Sequence, residues 1–416
     1  MKKLILFTNY YPYFKGEEYL ETEIHYLTEE FDEIILFPTL LSDEMELTRE
    51  VPNKVKVYPV YYQNTYGTKI KSLVNAVFSK DKEMHKRVKA DAGSNIVKKL
   101  YDYYFEARTN EVAKEVFKAL EKLEFNDDDQ IYLYSYWLHA TAKIAVEVKK
   151  QFFKGNVHYV FSRAHRYDVD LVASPIGFLP EREYLLDNLD QVYCISTNSQ
   201  SYLQETYPKY KDKVSTARLG TSKTNEEAIA TNDPFVLVSC SLLRKVKNID
   251  KIIDALAIIE QNHDADIEWI HFGNGPEFEK IKKVASEKLV KTKVSLPGYV
   301  LNKDVLKWYE EHQPSCFINV SSSEGIPVSI MEAMSFGIPV IATDVGGNGE
   351  IVQNRTNGLL LPDDVSTNMI AEAIFQLYNT DEAFYQNYKN NAYSTWKEQY
   401  SSDKNYTEFA ALIANK

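Results

Sequence analysis

The chain has 416 residues, of which 44% are hydrophobic and 26% are charged, and its formal net charge is −12. This length favours two domains, the composition is that of a globular protein, and the acidic balance argues against nucleic acid as a partner. The three cysteines stand singly in apolar segments, so we expect buried thiols and neither a disulfide framework nor a cysteine-based metal site.

The sequence gives no membrane-spanning signal. Only four apolar residues follow Lys3 before the sequence turns polar, which favours a first β-strand over a signal peptide. No segment approaches the ~20 apolar residues of a transmembrane helix. The sequence therefore predicts a soluble, cytoplasmic protein, with a peripheral contact at the inner face of the membrane as an open alternative.

Strands and helices alternate through the first half of the chain. Helical patterns cover residues 19–31 and 111–123 and lie between apolar runs that are typical of strands. The predicted strands cover residues 4–8, 33–37, 54–58, 131–135, 157–162 and 192–196. Such alternation predicts a parallel sheet with helices on both faces.

A second series with the same alternation begins near Pro234. Its predicted strands cover residues 235–242, 268–272, 294–296, 316–320, 340–343 and 358–361. Between the two series, Gly220 and the polar run 221–227 indicate a hinge. Two doubly wound α/β domains that face each other across a cleft are the simplest architecture for this pattern.

Residues 69–99 form the one basic segment, with nine Lys and Arg residues against three acids. Apolar residues such as Val74 and Phe78 lie among the basic ones, so the segment could contact anionic lipid headgroups. A solvated helical insertion would show the same composition, and this alternative stays open.

Residues 321–350 hold the most informative pattern of the chain. Glu324 follows the predicted strand 316–320, at the strand end where ligands bind in open α/β sheets. Pro327 suits the first turn of a helix, and Gly337 with Pro339 predicts where that helix ends. The backbone N–H groups at such a helix start favour an anion such as a phosphate.

Glu332 lies eight residues after Glu324, in a helix that is otherwise apolar. A lone Glu in a helix is usually solvated or ion-paired, because an unpaired carboxylate is costly to bury. Here the strand end, the proline turn and the Gly346-Gly347 turn occur together with it, and this combination favours a ligand site.

This block resembles the donor-site signature of retaining glycosyltransferases of the GT-B fold, in particular family 4 (glycosyl transferases group 1). The resemblance implies two facing Rossmann-like domains with an interdomain cleft. It places an N-terminal acceptor-binding domain at 1–215 with a basic helical insertion at about 66–122. It also implies a hinge at 216–233, a donor-binding domain at 234–395 and a C-terminal helix at 396–416 that returns to the first domain.

The resemblance also implies roles in the second half. Glu324 would bind hydroxyls of the donor sugar, Glu332 would accept hydrogen bonds from the ribose hydroxyls, and Lys247 would neutralise the diphosphate. The family has an Arg directly after the strand, whereas here Arg244 comes two residues after Ser241-Leu242. The remaining expected donor contacts are Gly325, Ile326, Pro327, Val328, Gly273, Asn274, Gly275, Tyr299 and Val300.

In the first half, His165 matches the family's histidine that faces the donor sugar. Gly16, in Lys15-Gly16-Glu17, matches the family's glycine loop, although this chain has one glycine where the family often has two. We count Glu324, His165 and Lys247 as the predicted catalytic residues.

Two aspartate clusters, residues 127–129 and Asp168-Val169-Asp170, could be mistaken for metal-binding motifs. The first precedes its strand, and the second lies in a register that the GT-B pattern explains, so we expect no metal and no cofactor. The expected activity is transfer of a hexose-type sugar from a nucleotide sugar, with uridine as the first choice of base, to a glycan or lipid-linked acceptor in surface polysaccharide or glycoconjugate synthesis. A GT-B-like sugar-nucleotide epimerase and a non-catalytic partner subunit are the alternatives.

Overall fold

The computed structural model describes residues 1–14, 16–62, 65–171, 174, 176–223 and 234–416. Lys15 and residues 224–233 of the predicted hinge lie outside the described residues. The chain divides into two units, the first formed by Met1–Leu219 with Asn405–Lys416 and the second by Gly220–Lys404.

The described part of the first unit contains a seven-stranded, entirely parallel sheet in the order β3-β2-β1-β4-β5-β6-β7. Its strands are β1 (Lys2–Thr8), β2 (Glu33–Pro38), β3 (Val55–Val57), β4 (Gln130–Ser135), β5 (Tyr159–Ala164), β6 (Gln191–Cys194) and β7 (Val214–Thr216). The strand β7 was not predicted from the sequence. Because the order reverses between β1 and β4, this sheet is doubly wound and its switch point lies between these two strands.

The helices of the first unit lie between these strands. They are α1 (Tyr19–Glu30), α2 (Tyr66–Val77), α3 (Lys82–Ala92), α4 (Ile96–Leu120), α5 (Ala140–Glu147), α6 (Arg182–Asn188) and α7 (Thr197–Thr206). The helix predicted at 111–123 is the end of the 25-residue α4. Helices α2, α3 and α4 form the insertion.

The second unit contains, among its described residues, a six-stranded parallel sheet in the order β10-β9-β8-β11-β12-β13. These strands are β8 (Phe235–Cys240), β9 (Ile267–Phe272), β10 (Lys293–Gly298), β11 (Cys316–Asn319), β12 (Val340–Thr343) and β13 (Gly358–Leu361). The switch point of this sheet lies between β8 and β11.

The remaining helices are α8 (Ile249–Asn262), α9 (Phe278–Lys288), α10 (Asn302–His312), α11 (Val328–Ser335), α12 (Asn348–Ile351), α13 (Thr367–Tyr378), α14 (Glu382–Gln399) and α15 (Ser402–Ala414). The single C-terminal helix expected from residue 396 is instead two helices, and Trp396 lies inside α14. Most of α15 belongs to the first unit, where Phe409 and Ile413 are buried.

Each sheet is buried on both faces, which explains the continuous apolar runs of its strands. In β1, Ile5 and Phe7 face one core while Leu4 and Leu6 face the other. The predicted α/β class with two doubly wound units is confirmed. Cys194 and Cys316 are buried as expected, whereas Cys240 at the end of β8 is only partly buried.

Candidate active site

Lys247 and Glu324 meet at the switch point of the second sheet. Lys247 ends a short 3-10 turn (Lys245–Lys247) after β8, and Glu324 lies in the loop after β11. The Lys247 Nζ atom is 2.6 Å from the Glu324 Oε1 atom. Because β8 and β11 are neighbours whose helices lie on opposite faces, a crevice opens beyond their carboxyl ends, where ligands bind in such sheets. Lys247 was expected at the start of α8, but that helix begins only at Ile249.

Asn319 contacts the same Glu324 carboxylate oxygen as Lys247. The Asn319 amide nitrogen donates to Glu324 Oε1 over 3.1 Å, while its Oδ1 accepts from the backbone N–H of Ser321 over 3.1 Å. Glu324 itself is 9% exposed, so these contacts fix its orientation in a largely protein environment. Asn319 was not predicted as a site residue, although a polar residue at the end of an apolar strand is a recognisable signal in the sequence.

The loop after Glu324 leads into α11. Pro327 precedes the helix in an extended conformation instead of occupying its first turn, and α11 begins at Val328. The first N–H groups of a helix have no acceptor within it, so this end of α11 can receive an anion. Ile326 and Pro327 are buried and Gly325 is partly buried.

Two glycines give the Glu324 loop its shape. Gly346 has a φ angle of +57°, and a Cβ atom there would lie 2.0 Å from the carbonyl oxygen of Glu324. The backbone N–H of Gly347 donates to the Gly325 carbonyl over 2.6 Å. The turn predicted at Gly346-Gly347 therefore supports the loop that carries Glu324.

Glu332 lies on α11 and receives a hydrogen bond of 2.8 Å from the Asn302 amide at the start of α10. Burial raises the pKa of the Glu332 carboxyl to about 7, and the Asn302 hydrogen bond opposes this shift. Asn302 was also not predicted as a site residue from the sequence. Each of the two paired glutamates thus has an asparagine amide as its partner.

The glycine loop after β9 is also set by close backbone contacts. A Cβ atom on Gly273 would lie 1.9 Å from the Ser241 carbonyl oxygen, and one on Gly275 would lie 2.5 Å from that of Leu243. Asn274 lies between them, and its carbonyl oxygen accepts from Leu243 N over 2.9 Å. Only glycine can therefore occupy positions 273 and 275 without displacing the segment that leads to Lys247.

Three other predicted donor contacts, Tyr299, Val300 and Arg244, lie apart from the Lys247–Glu324 pair in the contacts that the structure shows among the described residues. Tyr299 is 64% exposed and Val300 is partly buried, directly after β10. The Arg244 side chain lines a 260 Å³ pocket together with Asp250, Glu277 and Lys280. No contact of Arg244 with Glu324 is recorded in the described residues, so its role as the replacement arginine stays a prediction.

In the first unit, His165 directly follows β5. The strand was predicted to end at residue 162, but its pairing with β6 continues through Arg163 and Ala164. His165 is 6% exposed, with its ring 4.4 Å from that of Trp137. Burial, followed by the charge of Arg163, lowers the pKa of His165 to about 3, so its imidazole is neutral near pH 7. Its Nε2 atom is buried and has no hydrogen-bond partner among the described residues.

Asp168 supports the His165 loop. Its two carboxylate oxygens accept the backbone N–H groups of His165 and Leu138, each over 2.6 Å. The neighbouring Asp170 carboxylate is 3.5 Å from the Arg166 guanidinium. Within the described part of the chain, no group of three or more His, Cys, Asp and Glu side chains is placed to hold a metal ion.

Glu17 organises the loop after β1, at the switch point of the first sheet. Its carboxylate accepts the backbone N–H groups of Asn9, Tyr10 and Tyr11 over 2.7–2.8 Å. It also accepts the Trp137 indole N–H over 2.6 Å. Gly16 beside it has a φ angle of +99°, which favours glycine. Gly16 was predicted as a site residue from the sequence, whereas Glu17 was not.

Residues 221–395 match the family model described as glycosyl transferases group 1. The match lies within the second unit, Gly220–Lys404. A curated relative, the GtfA subunit of a UDP-N-acetylglucosamine–peptide N-acetylglucosaminyltransferase from Streptococcus pneumoniae, is 28% identical over 204 residues. That match covers 47% of this chain and 39% of the relative, so the chain spans well under two thirds of the relative's length.

Solved structures of GT-B glycosyltransferases share the fold of the whole chain. Sucrose-phosphate synthase from Thermosynechococcus elongatus has a TM-score of 0.69 at 16% identity, covering 100% of this chain and 99% of that chain. The Anabaena protein HepE in complex with UDP and glucose has a TM-score of 0.63 at 15% identity, with full coverage of both chains. The predicted fold is therefore confirmed, and the family model that matches the second unit is that of the predicted family.

Proposed function

We propose that the chain is a metal-independent, retaining glycosyltransferase. It transfers a hexose-type sugar from a UDP-sugar to a hydroxyl group of a glycan or lipid-linked acceptor in surface polysaccharide or glycoconjugate synthesis. It acts in the cytoplasm. The observation that carries this proposal is the Lys247–Glu324 pair, at the switch point of the second sheet and near the start of α11.

The comparisons support the choice of substrate class. One relative is named for UDP-N-acetylglucosamine, and one structure of the same fold holds UDP and glucose. For this chain, the second unit offers matching chemistry. A lysine and a helix start suit a diphosphate, and two glutamates suit sugar hydroxyls.

Each residue has a distinct part in the proposed reaction. The Lys247 ammonium has three N–H donors, so it can keep its bond to Glu324 and still donate to the diphosphate. The Glu324 carboxylate accepts hydrogen bonds from the donor sugar, and the Glu332 carboxylate accepts them from the ribose. The neutral His165 imidazole, with its free Nε2 atom, forms a hydrogen bond to the sugar without taking up a proton.

The bond changes balance without a cofactor. The bond from the anomeric carbon to the phosphate oxygen breaks, and the acceptor oxygen bonds to the same face of the sugar. The acceptor's proton passes to the departing diphosphate, and UDP leaves. Lys247 and the start of α11 stabilise the charge that develops on this leaving group.

The test is release of nucleotide from a panel of UDP- and GDP-sugars, with EDTA present and with candidate acceptors. We expect release from one UDP-sugar, loss of that release in Glu324→Ala, and normal release in Glu279→Ala, which changes an exposed glutamate on α9. An EDTA-sensitive reaction would contradict metal independence. An inverted product would contradict retention.

The alternatives predict different products. An epimerase would form an epimerised sugar without an acceptor. A non-catalytic partner subunit would release no nucleotide from any donor and acceptor pair. Either result would replace the proposed transfer reaction.

A further inference from the structure

The helical insertion of the first unit carries an unusual number of exposed apolar side chains. We call these six side chains the apolar insertion surface, and their exposed fractions range from 44% to 81%. They are Ile70, Val74, Phe78, Ile96, Val97 and Leu100. Single exposed apolar residues are ordinary, but a concentration of this kind marks an interaction site.

Two apolar side chains of α2, those of Ile70 and Val74, are exposed, and so is Phe78 directly after the helix, whereas Ala76 is buried. Ile70, Val74 and Phe78 are spaced four residues apart and so lie on one side of the helix. On the inner side, the Ser72 hydroxyl is 2% exposed and donates to the Glu111 carboxylate of α4 over 2.8 Å. A merely solvated helix would carry polar residues outside. This helix instead exposes Ile70 and Val74 alongside the polar Lys71 and Asn75.

His85 joins the end of α2 to the beginning of α4. One ring nitrogen of His85 is 2.8 Å from the Ser79 carbonyl oxygen, and the other is 2.8 Å from the Tyr103 hydroxyl. Phe78 directly precedes Ser79, and Leu100 lies one turn before Tyr103. The bridge therefore brings both parts of the apolar insertion surface to the same end of the insertion.

The charge around this surface is positive, although the whole chain carries −12. Helix α2 contains Lys69 and Lys71 and no acidic residue. The exposed Lys80 and Lys82 that follow it alternate with the exposed Asp81 and Glu83, so the net positive charge comes from α2 and from the exposed Lys86 and Lys89. Arg87 is part of the basic segment in the sequence, but it does not contribute to this positive charge. Its guanidinium pairs with the buried carboxylates of Glu106 and Glu181.

We propose that the apolar insertion surface, with its surrounding lysines, binds the surface of an anionic lipid bilayer. Lysines attract anionic headgroups, and side chains such as Phe78 and Ile96 enter the boundary with the acyl chains. A second copy of the chain fits less well, because a symmetric contact would bring the α2 lysines of both copies together.

This binding mode needs no membrane-spanning segment, and no helix among the described residues is long and apolar enough to span a bilayer. The proposal concerns attachment alone. Its test is independent of the test of the proposed sugar transfer.

The experiment is co-sedimentation of the full chain with vesicles of equal parts phosphatidylglycerol and phosphatidylcholine, compared with pure phosphatidylcholine. We expect binding to the anionic vesicles that weakens as salt is raised. Val74→Ser with Phe78→Ser should weaken it by about tenfold or more. Lys71→Glu with Lys80→Glu should weaken it by at least about 25-fold.

Matched controls change similar residues elsewhere. Val290→Ser alters a side chain that is 89% exposed in the second unit, and Lys211→Glu with Lys282→Glu reverses two exposed lysines outside the insertion. Both controls should bind vesicles like the unaltered chain. UDP affinity, measured on every variant, should stay constant, which separates a failure of membrane binding from a failure of the donor site.

Three outcomes would overturn the proposal. The first is that the unaltered chain does not bind anionic vesicles, and the second is that the insertion variants bind them as well as the controls do. The third is that the chain self-associates through Phe78 and does not bind vesicles. The last outcome would assign the surface to a second copy.

Discussion

Lys247 and Glu324 are 77 residues apart in the sequence, yet their charged groups are 2.6 Å apart in the structure. The Lys247 side chain is 23% exposed, so it remains accessible to a ligand while it is paired. A cation that a carboxylate already holds in place needs little reordering to meet a diphosphate.

Replacing Lys247 should therefore weaken nucleotide binding. We expect Lys247→Met to lower UDP affinity by about tenfold to a hundredfold, because charge-assisted hydrogen bonds to the diphosphate are lost. Isothermal titration calorimetry measures this directly. Lys245→Met, which alters an exposed lysine two positions earlier, is the control. Equal affinities in the two variants would remove Lys247 from the binding site.

Replacing Gly346 should disturb the Glu324 loop. Alanine there combines a left-handed backbone with a Cβ atom 2.0 Å from the Glu324 carbonyl oxygen. Gly93→Ala is a matched control, because Gly93 has nearly the same φ angle, +56°, with nothing within 4 Å of an added Cβ. We expect Gly93→Ala to cost about 1–3 kcal/mol of unfolding free energy, because its ψ angle of −126° adds to the strain of its positive φ angle. Gly346→Ala should cost more and should also abolish transfer. Similar losses of unfolding free energy and of transfer activity in both variants would show that backbone strain, and not the contact with the Glu324 carbonyl oxygen, causes the effect.

UDP affinity should depend on pH through Glu332. Because burial raises the pKa of this carboxyl to about 7, lowering the pH from 8 to 6 protonates it and removes acceptors for the ribose hydroxyls. Affinity should therefore fall with falling pH. In Asn302→Ala the midpoint should move to higher pH, because the lost hydrogen bond favoured the carboxylate.

The matched variant for this pH profile is Glu332→Gln, which cannot titrate. Its UDP affinity should be lower and should lack the step near pH 7. A step that persists unchanged in Glu332→Gln would assign the titration to another group.

Glu17 should affect the rate more than nucleotide binding. Its carboxylate accepts three backbone N–H groups and the Trp137 indole, so Glu17→Gln would place an amide N–H₂ group among donors. We expect kcat to fall by about tenfold or more, through the shifted Trp137 and His165 rings, with UDP affinity unchanged. Glu18→Gln changes the exposed neighbouring glutamate and should behave nearly normally. Equal kinetics in the two variants would contradict this role for Glu17.

The sequence alone determined the fold class and the resemblance of the second unit to glycosyl transferases group 1. Strands such as β1 and β11 are buried on both faces, and this burial requires the continuous apolar runs that are visible without a structure. The spacing of Glu324, Pro327 and Glu332 is likewise local, because these residues share one loop and the helix that follows it. The roles assigned to them from the family resemblance stay predictions.

Only the tertiary structure decided which side chains meet. Lys247 reaches Glu324 because β8 and β11 are neighbours in the sheet, and Glu332 in the middle of α11 meets Asn302 at the start of α10. The outward direction of Phe78 depends in the same way on how α2 packs against α4. Local periodicity fixes helices and strands, whereas strand order and packing join residues that are distant in the chain, and no local pattern records those contacts.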